Sequence, residues 1–172
     1  LLHETGHAIH IAGIRNRPVW ADWPDSDTFT EAVADLAGLE MYEPAWQQRF
    51  LGVSATLVAS LRAKYSGIML DVAWSLFEIR VHREPTRSPN QIWAELTRDY
   101  LRIVPHPEWS WWAMRGQLVD GPGYMLNYAF GAILVADLRA ALSARHGSFT
   151  TGDPGWYGWV APRLFRFGAE RP

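Results

Sequence analysis

The sequence has no cysteine among its 172 residues. That excludes disulfides and thiolate metal sites, and it leaves the redox compartment open. Lysine is nearly absent as well: Lys64 stands alone among 16 basic residues, a compositional bias toward arginine with no binding signal in it. Excess charge of either sign is lacking. The net charge is -2 and the pI about 6.3, so neither nucleic acid nor a charged membrane surface is an expected partner. No apolar run reads as approaching the roughly 20 residues of a membrane span. Alternating polar and apolar residues never persist for more than a few positions, which argues against strands. Internal repeats and low-complexity stretches are absent too.

What the chain does have is helical periodicity, and the reading is all-α. Its length suffices for one domain with a sizeable core, spanning 1–172. Helices are expected from Leu1 to about Gly13 and from Thr28 to about Tyr42, the latter with Phe29, Val33, Leu36 and Ala37 on one face. Pro44 to Ala63 and Gly67 to His82 read as two more, or as one with a break near Ser66-Gly67. Ser88-Pro89 marks a helix start, with serine as cap and proline in the first turn, and that helix should run to about Ile103. Pro105 to Trp112 reads as an aromatic loop or short helix. Asp120-Gly121-Pro122-Gly123 breaks the chain before a long helix from Tyr124 to about Arg145, ended by Gly147. Trp156 to Phe167 reads as a last short helix. Loops are expected over 15–27, rich in proline and aspartate, and over 148–155. The 10 tryptophans are mostly core residues, with some available to line a wide channel.

Chemistry is concentrated at the start. Residues 3 to 10 read His3-Glu4-Thr5-Gly6-His7-Ala8-Ile9-His10. Histidines at i and i+4 lie one turn apart on the same helix face, so both imidazoles can reach one ion. Glu4 between them is placed to act on a water beside that ion. A catalytic zinc takes three protein ligands and leaves a fourth position open. Glu31 in Thr28-Phe29-Thr30-Glu31-Ala32-Val33-Ala34-Asp35 is the candidate third ligand. Zinc lowers the pKa of water from about 15.7 to about 7, and Glu4 can take the proton and pass it on to a leaving amine. Glu31 has a second explanation, a capping box with Thr28 as N-cap. Asp35 favours the metal: like charges at i and i+4 repel on a bare helix. The pair makes sense if Glu31 binds a cation while Asp35 accepts a hydrogen bond from a ligand histidine and fixes its tautomer. His10, one turn beyond His7, is expected to support or pack. Zinc suits a His/His/Glu set, although cobalt or manganese could occupy it.

A second constellation follows the glycine turn. Gly121-Pro122-Gly123-Tyr124-Met125-Leu126-Asn127-Tyr128 offers two tyrosines at i and i+4. Peptide hydrolysis passes through a tetrahedral oxyanion, and a neutral O–H or N–H donor opposite the metal would stabilise it. Both tyrosines are equally compatible with an ordinary amphipathic face.

These motifs resemble the gluzincin metallopeptidases of the thimet oligopeptidase and oligoendopeptidase type. They are also similar to the angiotensin-converting peptidyl-dipeptidases and the Taq-type carboxypeptidases. His3-Glu4-Thr5-Gly6-His7-Ala8-Ile9-His10 is close to the oligopeptidase H-E-x-G-H-x-x-H. Glu31-Ala32-Val33-Ala34-Asp35 is nearer the E-A-x-x-D of the converting-enzyme type. Gly123-Tyr124 with Tyr128 resembles G-Y-x-x-x-Y, and Trp111-Trp112-Ala113-Met114-Arg115 more loosely resembles W-W-x-x-R. The resemblance implies the helical catalytic half of a neurolysin-like or angiotensin-converting-enzyme-like peptidase. By it, His3, His7 and Glu31 are ligands of one zinc and Glu4 is general base and acid. Tyr128 is the oxyanion donor, assisted by Tyr124. Two positions depart from the oligopeptidases: Val119-Asp120 stands where they carry a histidine, and Gly131 where they carry a third tyrosine.

The chain begins at Leu1-Leu2-His3 and ends at Arg171-Pro172, straight after an apolar stretch. We therefore expect the C-terminal catalytic portion of a longer protein, whose partners are a peptide substrate and its own N-terminal half. The expected function is zinc-dependent hydrolysis of short or unfolded peptides. The competing readings are an inactive peptide-binding or structural-zinc domain, and a helical module with a chance motif. Endopeptidase versus carboxypeptidase action and the compartment stay open.

Overall fold

The computed structural model describes residues 1–15, 26–147 and 155–170. Helices dominate, and no strand occurs among the described residues. The loops expected over 15–27 and 148–155 fall almost wholly outside them. The chain divides into two compact units, one of Leu1–Lys64 with Gly131–Pro172, the other of Tyr65–Phe130.

The first unit begins with α1 (Leu2–Gly13) and α2 (Asp27–Gly38), the latter prolonged by a 3-10 turn over Leu39–Tyr42. Ser26, not Thr28, is the N-cap of α2: its Oγ accepts from Phe29 N at 3.2 Å. Thr28 sits inside the first turn, so the capping-box explanation of Glu31 does not hold. Helix α3 (Pro44–Leu51) starts with proline, whose missing N–H has no partner to lose there, and ends at Gly52 with φ 72. Helix α4 (Leu57–Arg83) then runs unbroken past Ser66-Gly67. The expected break lies instead at 52–56, because Gly52 takes a left-handed conformation while Gly67 merely costs a helix about 1 kcal/mol.

The core of this unit joins Ala32, Val33, Leu36 and Leu39 to Val135 and Leu142 of α7 (Met125–His146), Val160 of α8 (Gly155–Val160), and Phe165. Each fully buried Val, Leu or Phe contributes about 1.5–3 kcal/mol. The last segment is α8 followed by a 3-10 stretch, Phe165–Glu170, rather than one helix.

By length and composition α7 is apolar enough to cross a membrane. The expectation that no apolar run approaches the length of a membrane span is not met by this helix, although Asp137 and Arg139 interrupt it. Arg139 does not face lipid-like surroundings in this unit. It is 9% exposed, donates to the Leu36 carbonyl at 3.0 Å, and pairs with Glu40 at 2.9 Å and Glu43 at 3.0 Å. Burial pushes the Glu40 carboxyl up, and Arg139 counters it.

The second unit is built on α4, α5 (Pro89–Leu96), α6 (Gln117–Asp120) and the first turns of α7. Pro89 opens α5, but Ser88 makes no side-chain cap bond. The expected helix to Ile103 stops at Leu96. A π-helical turn over Thr97–Leu101 follows, and Arg102 at φ 58 reverses the chain. Trp74 stacks on Trp93 at 4.0 Å, with Phe77, Ile92, Leu96 and Met125 around them.

Truncating Arg139 would strand two carboxylates, one of them well buried. Arg139→Ala should therefore cost about 3 kcal/mol of stability in chemical denaturation. A loss below about 1 kcal/mol would mean that the cluster is effectively solvated.

Candidate metal centre

The site is made by one close helix contact. Gly6 faces α2 at Ala34, and a Cβ on Gly6 would stand 2.2 Å from the Ala34 carbonyl oxygen and 2.5 Å from its Cα. No side chain fits, so the two backbones touch. One turn on, a Cβ on Gly38 would crowd Asp35 Oδ1 at 2.7 Å, and His3 would lie at an ordinary contact distance of 3.5 Å. The contact carries the i, i+4 pair His3/His7 against the i, i+4 pair Glu31/Asp35.

Across it, His3 Nε2 lies 3.2 Å and His7 Nε2 3.9 Å from the same oxygen, Glu31 Oε2. One ligand atom from each of His3, His7 and Glu31 can be chosen so that all three lie within 4.8 Å of one another. Zinc bonds of about 2.0–2.2 Å in a tetrahedron space the ligand atoms roughly 3.3 Å apart, so the three side chains would have to draw closer to hold an ion. The donor types also suit zinc. Glu31 is 8% exposed, whereas the two histidine side chains are 33% and 21% exposed, leaving the open side toward solvent.

The other nitrogen of His3 is occupied. Its Nδ1 is 2.7 Å from Asp35 Oδ1. An N–H on Nδ1 donating to Asp35 leaves the Nε2 lone pair aimed toward Glu31, the tautomer that ligation requires. The same neighbours hold a proton on the ring: the hydrogen bond to Asp35, and then that to Glu31, push the His3 pKa up to about 10. Glu4 is exposed on the same helix, one residue after His3.

His10 is not part of the group. It is 1% exposed, packed edge-on against Phe29 at 5.3 Å and beside Phe165 at 4.9 Å. Burial, helped by the charge of His7, lowers its pKa to about 4, so it is neutral and acts as a core residue.

The tyrosines belong to the second unit. Their rings are 5.7 Å apart, and the Tyr128 hydroxyl accepts from Gln117 Nε2 at 3.4 Å. Of the W-W-x-x-R stretch, Trp112 donates from Nε1 to Asn90 Oδ1 at 2.6 Å. The Arg115 guanidinium lies 5.3 Å from the Trp74 ring and 5.8 Å from the Tyr128 ring. Sequence reasoning missed Glu78, which is 2% exposed and accepts from Gly123 N at 2.6 Å and Met125 N at 3.0 Å. The available signal was an acid set inside the apolar run Leu76-Phe77-Glu78-Ile79.

No protein-family model matches the chain, and no characterised protein or solved structure matches it.

Two measurements test the centre. A Cβ at position 6 must force the helices apart, so Gly6→Ala should cost at least about 1–3 kcal/mol in denaturation and weaken zinc binding in a chelator titration. Wild-type stability with unchanged affinity would mean that the helices do not need this contact. A zinc ion held by this group would compete with a proton for His3. With its pKa raised from 6.5 to about 10, the stability that the His3 proton contributes is fully present below pH 6.5 and is lost as pH rises through about 10. Apparent zinc affinity should therefore climb by about tenfold per pH unit across that window, with one His3 proton released per ion. A flat profile from pH 7 to 9 would contradict the His3–Asp35 coupling.

Proposed function

We propose that this chain carries the catalytic centre of a zinc-dependent peptidase that cleaves short or unfolded peptides. The observation that supports it most is the convergence of His3, His7 and Glu31, with Asp35 2.7 Å behind His3. A structural zinc needs neither an open, solvent-facing side nor a carboxylate at position 4, and this chain has both. Zinc bound by these three groups would supply a Lewis acid for the scissile carbonyl and lower the pKa of water toward about 7.

The protein's own residues would do the rest. Asp35 keeps the His3 proton on Nδ1 and fixes the ring plane. Glu31, nearly buried, offers its carboxylate at the meeting point of the two helices. Glu4, exposed to solvent, takes a proton from the attacking water and returns one to the departing amine nitrogen. By the motif resemblance alone, Tyr128 would be the oxyanion donor, with Tyr124 assisting.

The test is metal content together with peptide turnover. We expect about one zinc per chain in the wild type, most of it lost in Glu31→Ala. Glu4→Gln should keep its zinc while turnover of a quenched-fluorescence peptide falls by at least about 10²-fold. Turnover retained in Glu4→Gln would remove Glu4 from the mechanism. Stoichiometric zinc without any hydrolysis would favour a structural or peptide-binding domain.

A further inference from the structure

Glu78 is a buried carboxylate that the chemistry above does not use. It is 2% exposed and forms no ion pair among the described residues. A lone buried charge is expensive unless hydrogen bonds compensate it. Its two oxygens are each taken by one backbone N–H: Oε1 by Gly123 at 2.6 Å, Oε2 by Met125 at 3.0 Å. Both donors flank Tyr124. Gly123 has φ 91, a conformation that side chains other than glycine resist, and its N–H meets Oε1 in that shape. Met125 N is one of the N–H groups that the start of a helix leaves without an intrahelical acceptor, and a carboxylate there also meets the positive end of the helix dipole.

One turn back on the same face of α4, Ser75 Oγ donates to the Met125 carbonyl at 2.6 Å. Ser75 and Glu78 thus grip both polar groups of Met125 and the turn before it. Tyr124 lies inside the gripped segment. Tyr128 lies one helical turn further, with its ring against Tyr124 and its hydroxyl on Gln117.

We propose that Glu78, with Ser75, is a positioning residue for Tyr124 and Tyr128: it fixes the turn and the start of α7, the segment that carries both hydroxyls. This rests on the oxyanion-donor reading of Tyr128. A carboxylate suits the task because it accepts twice. In Glu78→Gln one of the two N–H groups would face an amide NH₂, and the turn would shift while the packing volume stayed the same.

The test is a double-mutant cycle on kcat and KM. Glu78→Gln should lower kcat by about tenfold with KM within about twofold, as misplacing a group that acts in the transition state does. Zinc content should be unchanged. In a Tyr128→Phe background the same substitution should alter kcat by less than about twofold, because the group it positions is already gone. Multiplicative effects would overturn the positioning role while leaving Tyr128 as donor. An unchanged kcat in Tyr128→Phe alone would sink the donor reading and the positioning role with it. Should Glu78→Gln fail to fold, Ser75→Ala loosens the same grip and is held to the same outcomes.

Discussion

The first unit depends on the contact between the backbones of α1 and α2 at Gly6 and Ala34. Everything chemical in that unit is a consequence of how close these helices come. The glycine at position 6 lets the backbones of α1 and α2 touch, which brings the imidazoles of one helix against the carboxylates of the other. With glycine at positions 6 and 38, His3 approaches Glu31 on one side and Asp35 on the other. The helices contribute an i, i+4 pair each, and the crossing turns two pairs into one cluster.

Such a cluster concentrates charge in a small helical body, and the unit handles it in two ways. At Glu40 and Glu43 the compensation is internal: Arg139 reaches both carboxylates and also takes the Leu36 carbonyl. That group is closed and has no capacity left for a ligand. At Glu31 and Asp35 the counter-charge is a titratable histidine instead of a fixed guanidinium. A proton on His3 is removable, whereas a proton on arginine is not. Compensation by a removable proton is what distinguishes a group able to admit a cation from one that only holds the fold together.

The parts legible in the sequence were those governed by local spacing. The His3/Glu4/His7 arrangement, Asp35 one turn after Glu31, the proline starts at Pro44 and Pro89 and the stop at Gly147 all follow from one helical period or one residue's backbone preference. What escaped depends on contacts between distant segments. Gly6 reads as a weak helix former until Ala34 is seen against it. Ser66-Gly67 reads as a break until the surrounding helix outweighs it. Ser26 lies just upstream of the Thr28-x-x-Glu31 pattern that drew attention to Thr28. Glu78 looked like one charge among many, because its partners, Gly123 and Met125, lie far along the chain. Nothing in the local pattern of α4 announces them.

The same contact explains why glycine, and not merely a small residue, stands between His3 and His7. A metal site tolerates ligand distances within about 0.2 Å. An alanine at position 6 would have to relieve overlaps with Ala34 O at 2.2 Å and Ala34 Cα at 2.5 Å. Relief along the line between the helices would displace His3 and His7 together, away from Glu31. Relief by rotation would keep one histidine near Glu31 and swing the other away. Neither movement would keep His3, His7 and Glu31 as close as they are, so a metal held as proposed would add its own constraint on Gly6 to that of the fold.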